Sequence, residues 1–559
     1  MQNPLLRMNL SNSFYHRLPT FASQGFLAID LDSLNWLSTR SIDGCVAVIY
    51  RLDFFGESIM CREMLGSLGK ISAFIGFLLA AAAPTLAADR SPPNVVIIFI
   101  DDMGYGDINA FAPTDYPTPN LDRMAREGRK FTDFVVSSAV CSASRVALMT
   151  GCYHRRVGIS GALGPRSDIG INASETTIAE VCKSKNYATA CFGKWHLGHH
   201  AKFLPTRHGF DHYFGLPYSN DMWPLHPENV ARMKKNPNSK SAWPPLPLLE
   251  AHRDAEPTVV IADMQPKDQE QLTRQYTERA TAFIRDHKAQ PFFLYLPHSM
   301  VHVPLFVSDS FKGKSGAGLF GDVVMEVDWS VGQILDTLDE IGQSENTLVV
   351  FTTDNGPWLS YGDHAGNAGG LREGKGTMFE GGYRVPTLMR WTGKDLNKAT
   401  IPAGTQCDKL ASTIDLLPTV AAIIDAELPA NKIDGHDIRS LMFGEADAKS
   451  PHDFFYCYFE QASLQAVRSE RWKLHLPHSY RTFAGRKGGT NGEPVAYETA
   501  SIGNSLYDLD NDVSESNDVA ADHPDIVKEL MNAAAVARKE LGDSEPPIKG
   551  NGVRAPGKL

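Results

Sequence analysis

"NVVIIFIDDMGYGD", residues 94–107, decides how this chain is read. After Asn94 the run to Ile100 is apolar and rich in Val and Ile, the character of a strand covered on both faces. It breaks abruptly into Asp101 and Asp102. Ligands in open α/β sheets bind beyond the carboxyl ends of the strands, so two carboxylates there mark a candidate site. Neighbouring side chains of a regular strand point to opposite faces. Both aspartates reach one ion only if the strand has ended, and Gly104 and Gly106 make that turn available.

Working outward, the same kind of run recurs in "ATACF" (188–192), "PFFLYL" (291–296) and "TLVVFTT" (347–353). Amphipathic stretches alternate with these runs: 119–128, 177–186, 271–288 and 322–342. Strand and helix in alternation predict an α/β fold, a doubly wound, mostly parallel sheet flanked by helices. Residues 224–265 are Pro-rich and read as an irregular surface insertion. Past about residue 440 the pattern changes to short strands and turns, "QAVRSERWKLHLP" (465–477) and "SLYDLDND" (505–512), with a helical stretch at 524–542. We expect a catalytic domain over 89–440 and a smaller C-terminal α+β domain over 441–559.

Each run ends in polar residues suited to chemistry. "GKWHLG" follows 188–192 with Lys194 and His196; "PHSMVHVP" follows 291–296 with His298 and His302; "DNGP" follows 347–353 with Asp354 and Asn355. Any one of these reads as turn chemistry, but four together do not. Asp101, Asp102, Asp354 and Asn355 are hard oxygen donors without a neighbouring thiol, a set suited to Ca²⁺ or Mg²⁺ rather than Zn²⁺. His298 is open between touching substrate and packing at its strand end.

The net charge is −11 and no basic block stands out, which argues against a nucleic-acid partner. A negative protein that acts on an anion needs a local cationic pocket. Arg145, Lys194, His302 and Lys375, the last in "LREGKGTMFEGG", are the candidates. Arg145 lies in "AVCSASRVALMTG" (139–151), which places Cys141 at what reads as the first turn of a helix ending at Gly151. Three readings of Cys141 are open: an inert buried thiol, a phosphatase-type nucleophile, or a residue converted after synthesis. The second needs an arginine six residues on, and position 147 is Ala. Residue chemistry alone reaches an activated nucleophile at a helix N-terminus facing an anion.

At the other end of the chain, Lys70, the 13-residue run Ile71–Ala83 and the small residues Ala87 and Ala88 have the layout of a secretory signal. The run is short for a membrane span, which takes about 20 residues. We therefore expect a signal peptide over 64–88, an unstructured upstream extension over 1–63, and an exported protein with no stable membrane anchor. Cysteines 141, 152, 182, 191, 407 and 457 follow the expected cleavage site, and export permits disulfides among them.

"CSASRVALMTG" resembles the signature of the formylglycine-dependent sulfatases, C-x-P-S-R followed by L-T-G, in which the cysteine is oxidised to an aldehyde. The resemblance extends over about residues 93–545 through "IIFIDDMGYGD", "GKWHLG", "FGLPYSND", "VHVP", "TDNG" and "GKGTMFEGGYRVP" in family order. Two of these stretches lean toward the arylsulfatase A and N-acetylgalactosamine-6-sulfatase branch of this alkaline-phosphatase-like superfamily. The resemblance implies hydrolysis of an organic sulfate ester, with Cys141 as formylglycine and one Ca²⁺ per chain. Asp101, Asp102, Asp354, Asn355 and the modified Cys141 would hold that ion. It further implies that Arg145 supports the aldehyde hydrate and that Lys194, His302, Lys375 and Ser219 hold the sulfate. His302 or Lys375 would protonate the leaving oxygen, and His196 would act as the base. Ala143 stands where the signature has Pro, a form that resembles the substrates of radical-type maturation enzymes, so the transient maturation partner is a formylglycine-generating or a radical-type enzyme. The rival readings are a phosphatase or phosphonate monoester hydrolase on the same scaffold, and a secreted binding protein on a degenerate one.

Overall fold

In the computed structural model, the described residues are 35–42, 45–54, 57–64, 92–236, 238–393, 400–460 and 462–559. They fall into two compact units divided at residue 90. In the first, Asn35–Ile42, Cys45–Phe54 and Glu57–Met64 form a three-stranded antiparallel meander. This differs from the unstructured extension expected over 1–63. The strands include β-branched and aromatic runs such as "CVAVIY", which favour extended pairing. Apart from Met64, which ends the third strand, the expected signal segment lies outside the described residues.

The second unit is built on a ten-stranded sheet. In chain order its first half contains β1 (Asn94–Ile100), α1 (Pro119–Glu127), β2 (Arg129–Phe131), α2 (Cys141–Thr150), α3 (Ile178–Ser184), β3 (Ala188–Phe192) and β4 (His212–Gly215). Then come β5 (Leu248–His252), β6 (Thr258–Ile261), α4 (Leu272–Asp286), β7 (Phe292–Pro297), α5 (Gly318–Glu340), β8 (Thr347–Thr353), β9 (Thr387–Arg390) and β10 (Thr405–Cys407). The spatial order is β6-β5-β4-β3-β7-β1-β8-β9-β2-β10. The five central strands, β4 to β8 across the sheet, are all parallel. Antiparallel pairs occur only towards the margins.

Strand β1 explains why the sheet is covered twice. Val95, Ile97 and Phe99 enter one hydrophobic core, while Val96, Ile98 and Ile100 enter the other. Period-two alternation of apolar residues on both faces leaves no face for water. Residues of α2 and α3 line the first core, and those of α1, α4 and α5 line the second, so helices flank both faces as the alternation predicts.

The insertion at 224–265 is more regular than its composition suggests. It forms a helix at Pro227–Lys235 and supplies β5 and β6, which extend the main sheet at one edge. Its prolines cluster between these elements, so a local count of helix and strand breakers hides the strands.

The C-terminal part adds β11 (Phe455–Phe459), β12 (Ser463–Arg468), β13 (Trp472–His475), β14 (His478–Thr482), β15 (Glu498–Ile502), β16 (Ser505–Asp508) and α6 (Pro524–Leu541). Strands β11-β12-β13-β16 make a small antiparallel sheet, and β14 pairs with β15. A buried ion network ties this sheet to the catalytic part. Glu380 receives Arg468 at 3.1 Å and Lys473 at 3.0 Å; Glu515 receives Lys473 at 2.8 Å and His475 at 2.8 Å. All five residues are fully buried.

Candidate active site

The topology gathers four strand ends at one edge. Strands β3, β7, β1 and β8 are consecutive in the sheet and parallel, so their carboxyl ends share a side. Asp101 and Asp102 follow β1, Asp354 and Asn355 follow β8, Lys194 and His196 follow β3, and His298 and His302 follow β7. Ser219 lies beyond β4, and Lys375 comes from the loop between β8 and β9. All of these side chains are buried.

The two adjacent aspartates reach a common region because Asp102 adopts a left-handed backbone, φ 62°. That conformation is uncommon outside Gly, Asn and Asp. Gly104 closes the turn: its N–H donates to Asp107 at 2.6 Å, and a Cβ there would lie 2.2 Å from the Asn367 carbonyl oxygen. Gly193 does the same after β3. With φ +140° and a Cβ position 1.9 Å from the Pro297 oxygen, no other residue fits where the chain swings Lys194 inward.

Helix α2 delivers Cys141 and Arg145. Cys141 is its first residue, all ten residues are buried, and left-handed Gly151 caps it by donating to Ala147. No side chain caps its N-terminus; the Ala143 amide of the first turn donates instead to the Gly161 carbonyl at 3.2 Å. The Cys141 thiol approaches Asp101 Oδ1 at 3.5 Å and Lys375 Nζ at 3.5 Å. Burial and then Asp354 push this thiol well above its ordinary range. That is opposite to the depressed value of a reactive thiolate.

Each cation meets a carboxylate. Arg145 donates through Nε (3.0 Å) and Nη2 (2.8 Å) to Asp354 Oδ2, and through Nη1 to the Lys194 carbonyl. Lys194 pairs with Asp101 and donates to Ser219 Oγ at 3.0 Å. Lys375 lies 2.8 Å from Asp102. Burial alone would raise the Asp101 carboxyl, but Lys194, His302 and Arg145 hold it well below the usual range. Burial and the neighbouring Asp101 push Asp354 up to about 7.

The histidines differ in ways set by their partners. His196 Nε2 lies 2.9 Å from the Leu163 carbonyl, an acceptor only, so Nε2 carries the proton. Its Nδ1 is buried without a partner and keeps a free lone pair. Burial and then Lys194 hold the ring well below its ordinary value, hence neutral. His302 donates from Nδ1 to Val303 O at 2.5 Å and turns Nε2 toward Asp102 at 3.5 Å. His298 is not drawn in. Its Nε2 meets Ser330 on α5 at 3.0 Å, and burial lowers it to about 3, so it packs at the strand end and makes no contact with the others.

The residues fit a divalent cation. Asp101, Asp102, Cys141 and His302 present ligand atoms within 4.8 Å of one another. Asn355 Oδ1 is buried with no partner, while its amide nitrogen donates to Asp102 at 2.8 Å. Asp354 engages the Asp102 amide at 3.1 Å as well as Arg145, and His302 enters the group that sequence alone assigned to oxygen donors. Three carboxylates and an amide oxygen are hard-cation ligands.

Sequence reasoning missed Asp221, Trp358 and Arg481. Asp221 sits two residues past Ser219. Burial would raise its carboxyl, but His302, Ser219, Lys194 and Lys375 hold it below its usual value. Trp358 lies under Lys375 with its ring 4.5 Å from Nζ. Arg481, on β14, donates to the Lys375 carbonyl at 2.9 Å. Asp221 is the last residue of the quoted stretch "FGLPYSND" and Trp358 directly follows "DNGP"; Arg481 carries no local signal.

Residues 93–426 match the family described as Sulfatase, residues 450–552 the C-terminal region of aryl-sulfatase, and residues 373–482 the N-sulphoglucosamine sulphohydrolase C-terminal family. Arylsulfatase A of Bos taurus is 37% identical over 480 residues, covering 83% of this chain and 89% of that protein. Arylsulfatase G of Rattus norvegicus is 34% identical over 483 residues, 81% of this chain and 88% of its own. Among solved structures, the PsFucS1 sulfatase from Pseudoalteromonas sp. superimposes with a TM-score of 0.71 at 25% identity, covering 84% of this chain and 93% of that one.

Proposed function

From the premise that this chain belongs to the sulfatase family and is a sulfate ester hydrolase, we propose that it acts through Cys141 after oxidation to formylglycine, beside a divalent cation, Ca²⁺. The observation that carries this reading is the meeting of Cys141 with Asp101 and Lys375, each at 3.5 Å. A conversion to another functional group gives such a buried side chain a role that its thiol lacks.

The aldehyde hydrate supplies two hydroxyls, one to attack sulfur and displace the alcohol, the other to lose its proton and release sulfate. Asp101, Asp102, Asp354 and Asn355 would hold the cation, which when bound would supply Lewis-acid polarisation of the sulfate oxygens. Lys194, Ser219, His302 and Lys375 hold the sulfate oxygens, where donors help most as negative charge builds. Arg145 fixes Asp354 and faces the hydrate. His302 or Lys375 gives a proton to the leaving alcohol oxygen. His196 takes the proton of the second hydroxyl on Nδ1, the nitrogen that Leu163 leaves free. Two hydroxyls on one carbon explain why serine or cysteine would not suffice: serine would stop at a sulfate ester and cysteine at an S-sulfo adduct, each with no second hydroxyl to eject sulfate.

We read residues 64–88 as the export signal and the protein as acting outside the cytoplasm. Ala143 favours a radical-type maturation partner. The test is expression beside either a radical-type or an oxidase-type maturation enzyme, followed by peptide mass spectrometry at position 141, metal analysis and sulfate release from 4-nitrophenyl sulfate. The expected result is an aldehyde at 141, one divalent ion and sulfate released. Full activity with an unmodified thiol, or two zinc ions per chain with phosphate esters preferred, overturns it.

A further inference from the structure

Beside the sulfate-holding groups lies a cavity of about 420 Å³ lined by Asp221, Glu228, Trp358, Tyr361, Arg481 and Tyr497 among others. That volume falls within the roughly 300–1,000 Å³ of small-molecule sites. Trp358 forms the wall it shares with the reaction centre. The Trp358 ring lies 4.5 Å from Lys375 Nζ and 5.5 Å from the His302 ring, so a molecule in the cavity adjoins the groups assigned to the sulfate.

The lining chemistry selects among esters. Trp358 and Tyr361 meet edge to face at 5.1 Å, and Tyr497 completes an aromatic rim. Such faces stack on the C–H side of a sugar ring. Asp221 Oδ1 is buried and accepts no hydrogen bond, so an occupant must bring a donor to it. A steroid or acyl group brings none and would seal that oxygen away from water unpaired. A second anionic group is disfavoured too. Two carboxylates, Asp221 and Glu228, face one guanidinium, and Arg481 spends its Nε and Nη2 on the Lys375 carbonyl while stacking 4.6 Å from Tyr497.

We propose that this cavity is a monosaccharide subsite that takes a singly sulfated, otherwise uncharged sugar ring, with the aromatic rim stacking on the ring and Asp221 accepting its hydroxyls. The Arg481 contact makes the C-terminal part a wall of the subsite, so specificity is set jointly by both parts of the chain. This inference rests on the sulfate-ester reading above.

The test uses matured full-length enzyme with galactose monosulfates, an N-acetylgalactosamine disulfate and 4-nitrophenyl sulfate. Wild type should prefer a monosulfate over the disulfate. Tyr497→Ala should raise KM for the monosulfate about tenfold, a larger loss than on 4-nitrophenyl sulfate. Glu228→Lys should improve the disulfate relative to the monosulfate by about tenfold. Circular dichroism of each variant confirms its fold. Equal losses on sugar and aryl sulfates, or a wild-type preference for the disulfate, would overturn the subsite. Absence of sulfate release from every ester, including 4-nitrophenyl sulfate, would instead overturn the underlying reading.

Discussion

Arg145 places two guanidinium nitrogens, Nε at 3.0 Å and Nη2 at 2.8 Å, on a single oxygen of Asp354, and neither side chain is exposed. Removing one member of such a pair strands a charge in a low-dielectric interior, which costs about 3–5 kcal/mol. Arg145→Met should therefore unfold at markedly lower temperature and release no sulfate. The double variant Arg145→Met/Asp354→Leu should regain part of the stability while staying inactive. Calorimetry alongside a sulfate assay checks both, and a single variant as stable as wild type would contradict the coupling.

Cys141 contributes a small side chain to the packing, so Cys141→Ala should lower Tm by only about 1 °C, the shift expected of roughly 1 kcal/mol when the unfolding entropy is about 2 cal/mol/K per residue over a unit of this size. Sulfate release should vanish. Residual turnover at the wild-type rate would remove Cys141 from the mechanism.

Chelation should abolish activity reversibly, with Ca²⁺ restoring it. Asp102→Ala should weaken metal binding in a direct titration and cut kcat by at least about 10²–10³-fold. Unimpaired turnover after exhaustive dialysis against chelator would speak against the cation.

The roles of Lys375 and His302 can be separated by leaving-group chemistry. Loss of the general acid should slow an alkyl or sugar sulfate far more than 4-nitrophenyl sulfate, whose phenolate leaves without help. Loss of a sulfate holder should slow both alike. Comparing Lys375→Met with His302→Gln on the two substrates assigns the proton; if each variant lowers both substrates equally, neither residue is the acid.

The network joining the C-terminal sheet to the catalytic part should limit acid stability. Burial would raise the Glu380 and Glu515 carboxyls, but Arg468, Lys473 and His475 outweigh it and hold both below the usual 4.5. A depressed carboxyl stabilises fully above its unfolded value and loses that contribution as pH falls through its folded one. Tm should thus decline as pH drops below about 4.5. Glu380→Gln should be less stable at neutral pH and show a flatter acid limb; an unchanged limb would refute the assignment.

Much of the site was legible because it follows from local pattern. An apolar run must be buried, a buried strand must end at a surface, and polar residues at that end have few roles but chemistry. Asp101, Lys194, His302 and Asp354 were found that way, and β1, β3 and β8 were bounded correctly for the same reason. The signature around Cys141 added the family.

What the sequence determined, then, was which segments are buried strands and which side chains stand at their ends, since both depend on neighbours a few residues apart. Only the tertiary structure decided that β3, β7, β1 and β8 lie side by side, that Asp102 turns left-handed to join Asp101, and that His298 faces Ser330 instead of the pocket. It also brought Arg481 to the back of Lys375, 106 residues away in the chain, and drew β5 and β6 from a Pro-rich stretch onto the sheet edge. These are long-range pairings, set by the free energy of packing and charge neutralisation over the whole unit, and no local propensity encodes them.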